Sequence, residues 1–253
     1  MAVNASGVPG TIHIVMQGVE DVGKTFVALH LAQYFIDQGL SVAVFDSAPG
    51  GPGLAKYQAL QVGFRNFMLD EALDVERFEA LVEEIREASG QVVVLDTGSS
   101  SFFPLLDHLR SSAVLQEFEE FGQNLIAHCP LVGGAAGRGT LAGLASAGES
   151  LAVHGFVVWL NPVFGPVAFD GRPFEETKTF ARMKEKFLGT VRLPEISSNM
   201  VHQMGMRQMT SRCLTYKEAM GVAAISIWDR QRFAGIRREI YGQLHVVLGR
   251  PGS

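Results

Sequence analysis

Apolar residues follow two rhythms along this chain. Short, almost unbroken apolar runs rich in β-branched residues occur at 11–16 (TIHIVM), 41–45 (SVAVF), 91–95 (QVVVL), 125–132 and 155–160 (GFVVWL), with a shorter one at 190–193. Between the first two, Val27, Leu31, Tyr34 and Phe35 recur at helical spacing across 24–38, and Gly39 closes the stretch. Leu73, Leu81, Val82 and Ile85 do the same across 70–88, with acids on the opposite side. Runs that are apolar at every position mark strands buried on both faces, and their alternation with helices marks a parallel sheet. The pattern predicts an α/β fold, doubly wound around a mainly parallel sheet. Residues 161–173 (NPVFGPVAFDGRP) read as a loop, because Pro and Gly punctuate them. From about residue 174 the pattern is mainly helical, which predicts a helical C-terminal part.

At 253 residues, one such unit accommodates the whole chain, so 1–253 reads as a single domain. A composition of 47% hydrophobic and 19% charged residues excludes wholesale disorder. The two cysteines, Cys129 and Cys213, cannot build a disulfide framework and point to a reducing compartment. No apolar run reaches membrane-spanning length, and the first residues lack the basic and apolar pattern of a signal peptide, so the expectation is cytoplasmic. Seven histidines are scattered without metal-site spacing. Charge is uneven: residues 206–253 hold eight basic and three acidic side chains, against 13 and 23 in the preceding 205. A basic tail of that kind suits an anionic partner.

Candidate chemistry gathers where the first strand meets the first helix. Gly18-Val19-Glu20-Asp21-Val22-Gly23-Lys24-Thr25 fits GxxxxGK[ST], the P-loop or Walker A pattern, in the strand–loop–helix setting that gives it meaning. Backbone N–H groups of such a loop and the positive end of the helix dipole attract phosphate. Gly18, Val22, Gly23, Lys24 and Thr25 are then the nucleotide-binding residues; Lys24 meets the β- and γ-phosphates, and the Thr25 hydroxyl holds Mg²⁺. Asp96 ends the third long strand and is the second metal candidate; Asp46 ends the second strand. Ligands of such sheets sit at the carboxyl ends of strands, so Gly18, Asp46 and Asp96 converge if these strands are neighbours. Ser99, Ser100 and Ser101 lack a GxSxG elbow, which leaves them as a switch loop rather than a hydrolase nucleophile. An Arg-rich substrate lid, which a small-molecule kinase needs, is not seen near the site.

The order of P-loop, FDSAP, LDTG and WLNP resembles the ParA/MinD class of P-loop ATPases. Within it, residues 12–17, 95–105, 157–166, 170–178 and 230–244 resemble conjugal-transfer and plasmid-stabilisation proteins of the TraL/StbB type. The resemblance implies a nucleotide-binding protein, with ATP and Mg²⁺ as cofactors, acting in plasmid conjugation or stability. It implies adenine recognition by Asn161 and a homodimer or a protein partner from a conjugation or partition system. Val19, Glu20 and Asp21 stand where the class carries a signature lysine and paired glycines, and Ala48 stands where it carries a second, water-positioning Asp. Hydrolysis is therefore expected to be weak or absent, with Lys24 and Asp46 as the remaining catalytic candidates. The alternative is a non-catalytic adaptor that keeps the fold and recruits protein partners without nucleotide. The segment 230–248 reads as a basic amphipathic helix, which either contacts DNA or a membrane or packs on the domain with a solvated basic face. Met200, Met204, Met206, Met209 and Met220 read as core fillers or an adaptable partner groove.

Overall fold

The computed structural model of the protein describes residues 10–195 and 208–249. Seven strands form one sheet: β1 (Thr11–Val15), β2 (Val42–Asp46), β3 (Gly63–Phe64), β6 (Val92–Asp96), β7 (Asn124–Val132), β8 (Gly155–Asn161) and β9 (Phe187–Arg192). Their order is β3-β2-β6-β1-β7-β8-β9, and every neighbouring pair is parallel. A two-stranded antiparallel hairpin, β4 (Met68–Leu69) with β5 (Ala72–Leu73), stands apart.

Helices cover both faces of the sheet. On one lie α1 (Lys24–Asp37) and the C-terminal helix α8 (Ile227–Leu248), packed on Val15, Val44, Val94, Ile126, Val157, Trp159 and Val191. On the other lie α2 (Val75–Glu87), α3 (Phe102–Ser111), α4 (Val114–Glu120), α5 (Gly137–Ser150) and α6 (Lys178–Met183), packed on Ile12, Ile14, Leu95, Ala127, Leu131, Phe156 and Val158. Alternate residues of each strand feed opposite cores, which is why the strands read as unbroken apolar runs. The doubly wound α/β fold and its helical C-terminal part stand as expected.

Two boundaries differ. Residues 70–73 are not helical: Asp70 (φ 48°) and Glu71 (φ 65°) make the left-handed turn of the β4–β5 hairpin. The helix starts after Asp74, whose carboxylate accepts from the Arg77 N–H as an N-cap. The last strand begins at Phe187, three residues before the apolar run that signalled it.

The C-terminal part is bound tightly to α1. A short helix, α7 (Tyr216–Gly221), is held by Tyr216, whose N–H donates to Gln33 Oε1 at 2.6 Å. The Tyr34 hydroxyl meets His245 Nδ1 at 2.8 Å, and Tyr241 donates to Asp37 at 2.9 Å. On α8, Phe233, Ile240, Tyr241, Leu244, Val247 and Leu248 are buried. Arg230 donates to the Val222 carbonyl, Arg232 pairs with Asp229, and Arg237 pairs with Asp37 while lying over the Tyr241 ring. This is the packed alternative for 230–248: three of its four arginines serve internal contacts, and Arg238 is exposed. Of the methionines, Met209 is buried against Tyr216 and Phe233, Met220 is exposed, and Met200, Met204 and Met206 lie outside the described residues.

Candidate functional site

The carboxyl ends of β2, β6 and β1 are neighbours, in register at Asp46, Asp96 and Val15. The convergence expected from sequence is met there. The chain leaves β1 through Met16, Gln17 and Gly18, runs through the loop, and enters α1 at Lys24. Gly23 caps that helix in a left-handed conformation (φ 92°), and Asp21 also adopts positive φ (57°). Asp tolerates that region better than most residues, whereas the Gly23 position strongly favours glycine. The chain turns at Glu20 and Asp21 between the end of β1 and the start of α1. Backbone donors at a helix N-terminus form an anion cradle.

Lys24 Nζ folds over this cradle and donates to the Val19 carbonyl at 2.8 Å. Burial lowers its pKa from the usual lysine value, and the charges of Asp96, Glu20 and Asp21 act the other way. The Thr25 hydroxyl donates to Asp96 Oδ2 at 2.7 Å. Asp96 Oδ1 is buried and has no hydrogen-bond partner among the described residues. Burial raises the Asp96 pKa to about 7, helped by the Asp46 charge and opposed by Thr25 and Lys24. An orphaned carboxylate oxygen beside a threonine hydroxyl, at the mouth of a phosphate cradle, fits a hard divalent cation. No three His, Cys, Asp or Glu side chains gather into a metal cage among the described residues, so a cation at Thr25 and Asp96 would complete its shell with phosphate oxygens and water.

Asp46 is fully buried and already engaged: Oδ1 accepts from Ala48 N–H, and Oδ2 accepts from Gly53 and Ala55 N–H. It pins the loop after β2 so that Gly53 lies against Thr25, where a Cβ would come within 3.2 Å of the hydroxyl. Asn161 ends β8, and its Nδ2 donates to the Val22 carbonyl at 3.0 Å while its Oδ1 accepts from Val163 N–H. The side chain thus holds the P-loop from the side. Gly18 lies under α3, where a Cβ would sit 2.9 Å from Phe102 Cδ1. Ser99 Oγ approaches Glu20 at 3.4 Å, and Ser101 Oγ donates to the Gly98 carbonyl, which places the serine run beside the P-loop.

Gln17 is a positioning residue that motif reasoning missed. It is fully buried, donates to the Pro130 and Thr140 carbonyls, and accepts the Gly18 N–H at 2.9 Å. A polar residue directly after an unbroken apolar strand was the available signal. Gly143 on α5 makes room for it: a Cβ there would lie 2.1 Å from Gln17 Oε1. Gly143→Ala should therefore cost about 1–3 kcal/mol, as overpacking does. Denaturant titration measures that loss, and an unchanged midpoint would refute the fit described here.

A P-loop between strand and helix, in a doubly wound parallel sheet with acids at adjacent strand ends, defines a P-loop fold. Residues 14–101 match the CobQ/CobB/MinD/ParA nucleotide binding domain. The chain belongs to the TraL family: it is 32% identical over 237 residues to Protein TraL of Escherichia coli, covering 93% of this chain and 98% of that protein. A second Protein TraL of Escherichia coli is 33% identical over 234 residues, covering 92% and 96%. Among solved structures, a chain of the MinC:MinD cell division protein complex of Aquifex aeolicus aligns with a TM-score of 0.52 at 14% identity, over 92% of this chain and 96% of that one. That likeness is one of fold. No helix among the described residues is long and apolar enough to cross a membrane.

Proposed function

We propose that the protein binds ATP with Mg²⁺ in the cradle of residues 18–25 and acts in plasmid conjugal transfer or plasmid stability as a nucleotide-responsive protein with weak or no hydrolysis. The observation that carries this reading is the unpartnered Asp96 Oδ1 beside the Thr25 hydroxyl at the mouth of the P-loop. Family membership supports the biological setting, through relatives named TraL. The backbone N–H groups of the loop receive the phosphates. Lys24 swings from the Val19 carbonyl to neutralise the β- and γ-oxygens. Thr25 and Asp96 hold the metal, and Asn161 keeps the loop in shape at the side where the base enters. The metal, when bound, screens phosphate charge and orients the polyphosphate chain. Asp46 is the nearest further acid, but three amides occupy its oxygens, so it contributes by placing the 48–55 loop against Thr25. With both Asp46 oxygens engaged in this way, Asp46 does not orient a water, and turnover is slow. A homodimer or a partner from the transfer apparatus would read the bound state.

Thermal unfolding with ATP and Mg²⁺ tests the proposal. At a ligand concentration 100 times its Kd, stability should rise by about 2.7 kcal/mol. Lys24→Ala should abolish the gain, and phosphate release should stay near background. No shift with ATP or ADP would favour the second reading, an adaptor that works without nucleotide; Glu20 and Asp21, two carboxylates in an anion cradle, are the observation on its side.

A further inference from the structure

We infer that Glu20 and Asp21 make this site selective for the metal-chelated nucleotide and against the free polyanion; the inference rests on the nucleotide-binding reading above. Both residues are exposed, and they occupy the loop that would wrap the phosphates. Neither forms an ion pair among the described residues. Among the described residues, the Lys24 ammonium bonds the Val19 carbonyl and comes within ion-pair distance of no carboxylate. Around it stand the carboxyl groups of Asp96, Glu20 and Asp21. A second and independent feature of the same cradle is the buried, unpartnered Asp96 Oδ1, which asks for a cation or a donor.

The electrostatic consequence is direct. An unchelated triphosphate brings several negative charges into a loop that already carries two unpaired carboxylates, with one lysine to offset them. Like charges at these separations oppose binding, and partial desolvation strengthens the opposition. A divalent cation reverses the local sign: it removes charge from the phosphates and meets the free oxygen of Asp96. Nucleotide and metal therefore bind with strong positive coupling, and each tightens the other by the same factor. Glu20 and Asp21 set the size of that factor, because they penalise the free anion more than the chelate. Thr25 and Asp96 alone would give a coupling independent of residues 20 and 21.

Calorimetric titration of ATP with Mg²⁺, and of ATP with EDTA, into the wild type and into Glu20→Gln/Asp21→Asn tests this. Both changes keep side-chain shape, and Asn accepts the positive φ of residue 21. The double substitution should strengthen metal-free ATP binding at least tenfold, while Mg–ATP binding changes by less than about threefold. The gain should shrink at high salt, where exposed charges are screened. The inference is overturned if the ratio of the two affinities is the same in both proteins. If neither protein binds ATP under either condition, the nucleotide-binding reading itself is wrong.

Discussion

Replacing Gly23 with Ala should unfold the P-loop junction and remove nucleotide binding together. Residue 23 holds φ at 92°, where an L-residue costs roughly 1–2 kcal/mol. A Cβ there would also lie 2.7 Å from Asn161 Nδ2, the atom that donates to the Val22 carbonyl. The methyl group would therefore drive out the hydrogen bond that braces the loop, worth about 1 kcal/mol more. The expected loss is about 2–4 kcal/mol by denaturant titration, with no stabilisation by ATP and Mg²⁺. Asn161→Ala in the same background should recover part of the loss, because it removes the colliding amide. Additive costs in the double variant would show that the two residues do not meet as described.

Acid should destabilise the protein through His30. Its ring is fully buried on α1, with Nδ1 2.7 Å from the Phe26 carbonyl and Nε2 2.8 Å from the Tyr216 hydroxyl. A carbonyl only accepts, so Nδ1 carries the proton and Nε2 accepts from Tyr216. Burial lowers the His30 pKa to about 4, and apart from the Phe26 carbonyl, which acts the other way, nothing opposes it. The sign follows: above pH 6.5 both folded and unfolded chains hold a neutral ring and no penalty arises. Between about 6.5 and 4 the unfolded chain takes up a proton that the folded chain refuses, so stability falls by about 1.4 kcal/mol per pH unit. The full loss is about 3 kcal/mol. His30→Gln keeps a donor and an acceptor but cannot charge. The stability difference between wild type and variant should therefore shrink by about 3 kcal/mol between pH 7.5 and 4, measured by denaturant titration. The buried pair His13 Nδ1 and His128 Nε2, 2.8 Å apart, remains in both proteins and cancels in that difference. A constant difference would mean that His30 titrates normally.

Much of this architecture was legible in the sequence, and for physical reasons. A strand buried on both faces is apolar at most positions, so β1, β2, β6, β7 and β8 announced themselves within a residue or two. The P-loop was equally plain, since GxxxxGK[ST] spaces its cradle, cation and hydroxyl along the chain. The helix α5 was not, because GRGTLAGLASAGES has small residues where an amphipathic stripe would show. Its glycines serve contacts that no local pattern records, such as Gly143 against Gln17 and Gly148 against Met183. The helical reading of 70–74 failed because two acidic residues there accept positive φ and turn a hairpin. Within the site, motif spacing located Thr25, strand ends located Asp46 and Asp96, and the family resemblance pointed to Asn161, but none of these gave their hydrogen-bond partners. That Asp46 spends its oxygens on the amides of residues 48, 53 and 55, and Asn161 its amide on the Val22 carbonyl, emerges only once the strand ends meet.

The most direct test of nucleotide binding is a calorimetric titration of ATP with Mg²⁺ into the wild-type protein and into Lys24→Ala. Saturable binding of one nucleotide per chain, lost on removing the ammonium from the cradle, is the expected result. Silence with ATP and with ADP, or equal binding by the Lys24→Ala protein, would contradict a phosphate cradle at residues 18–25.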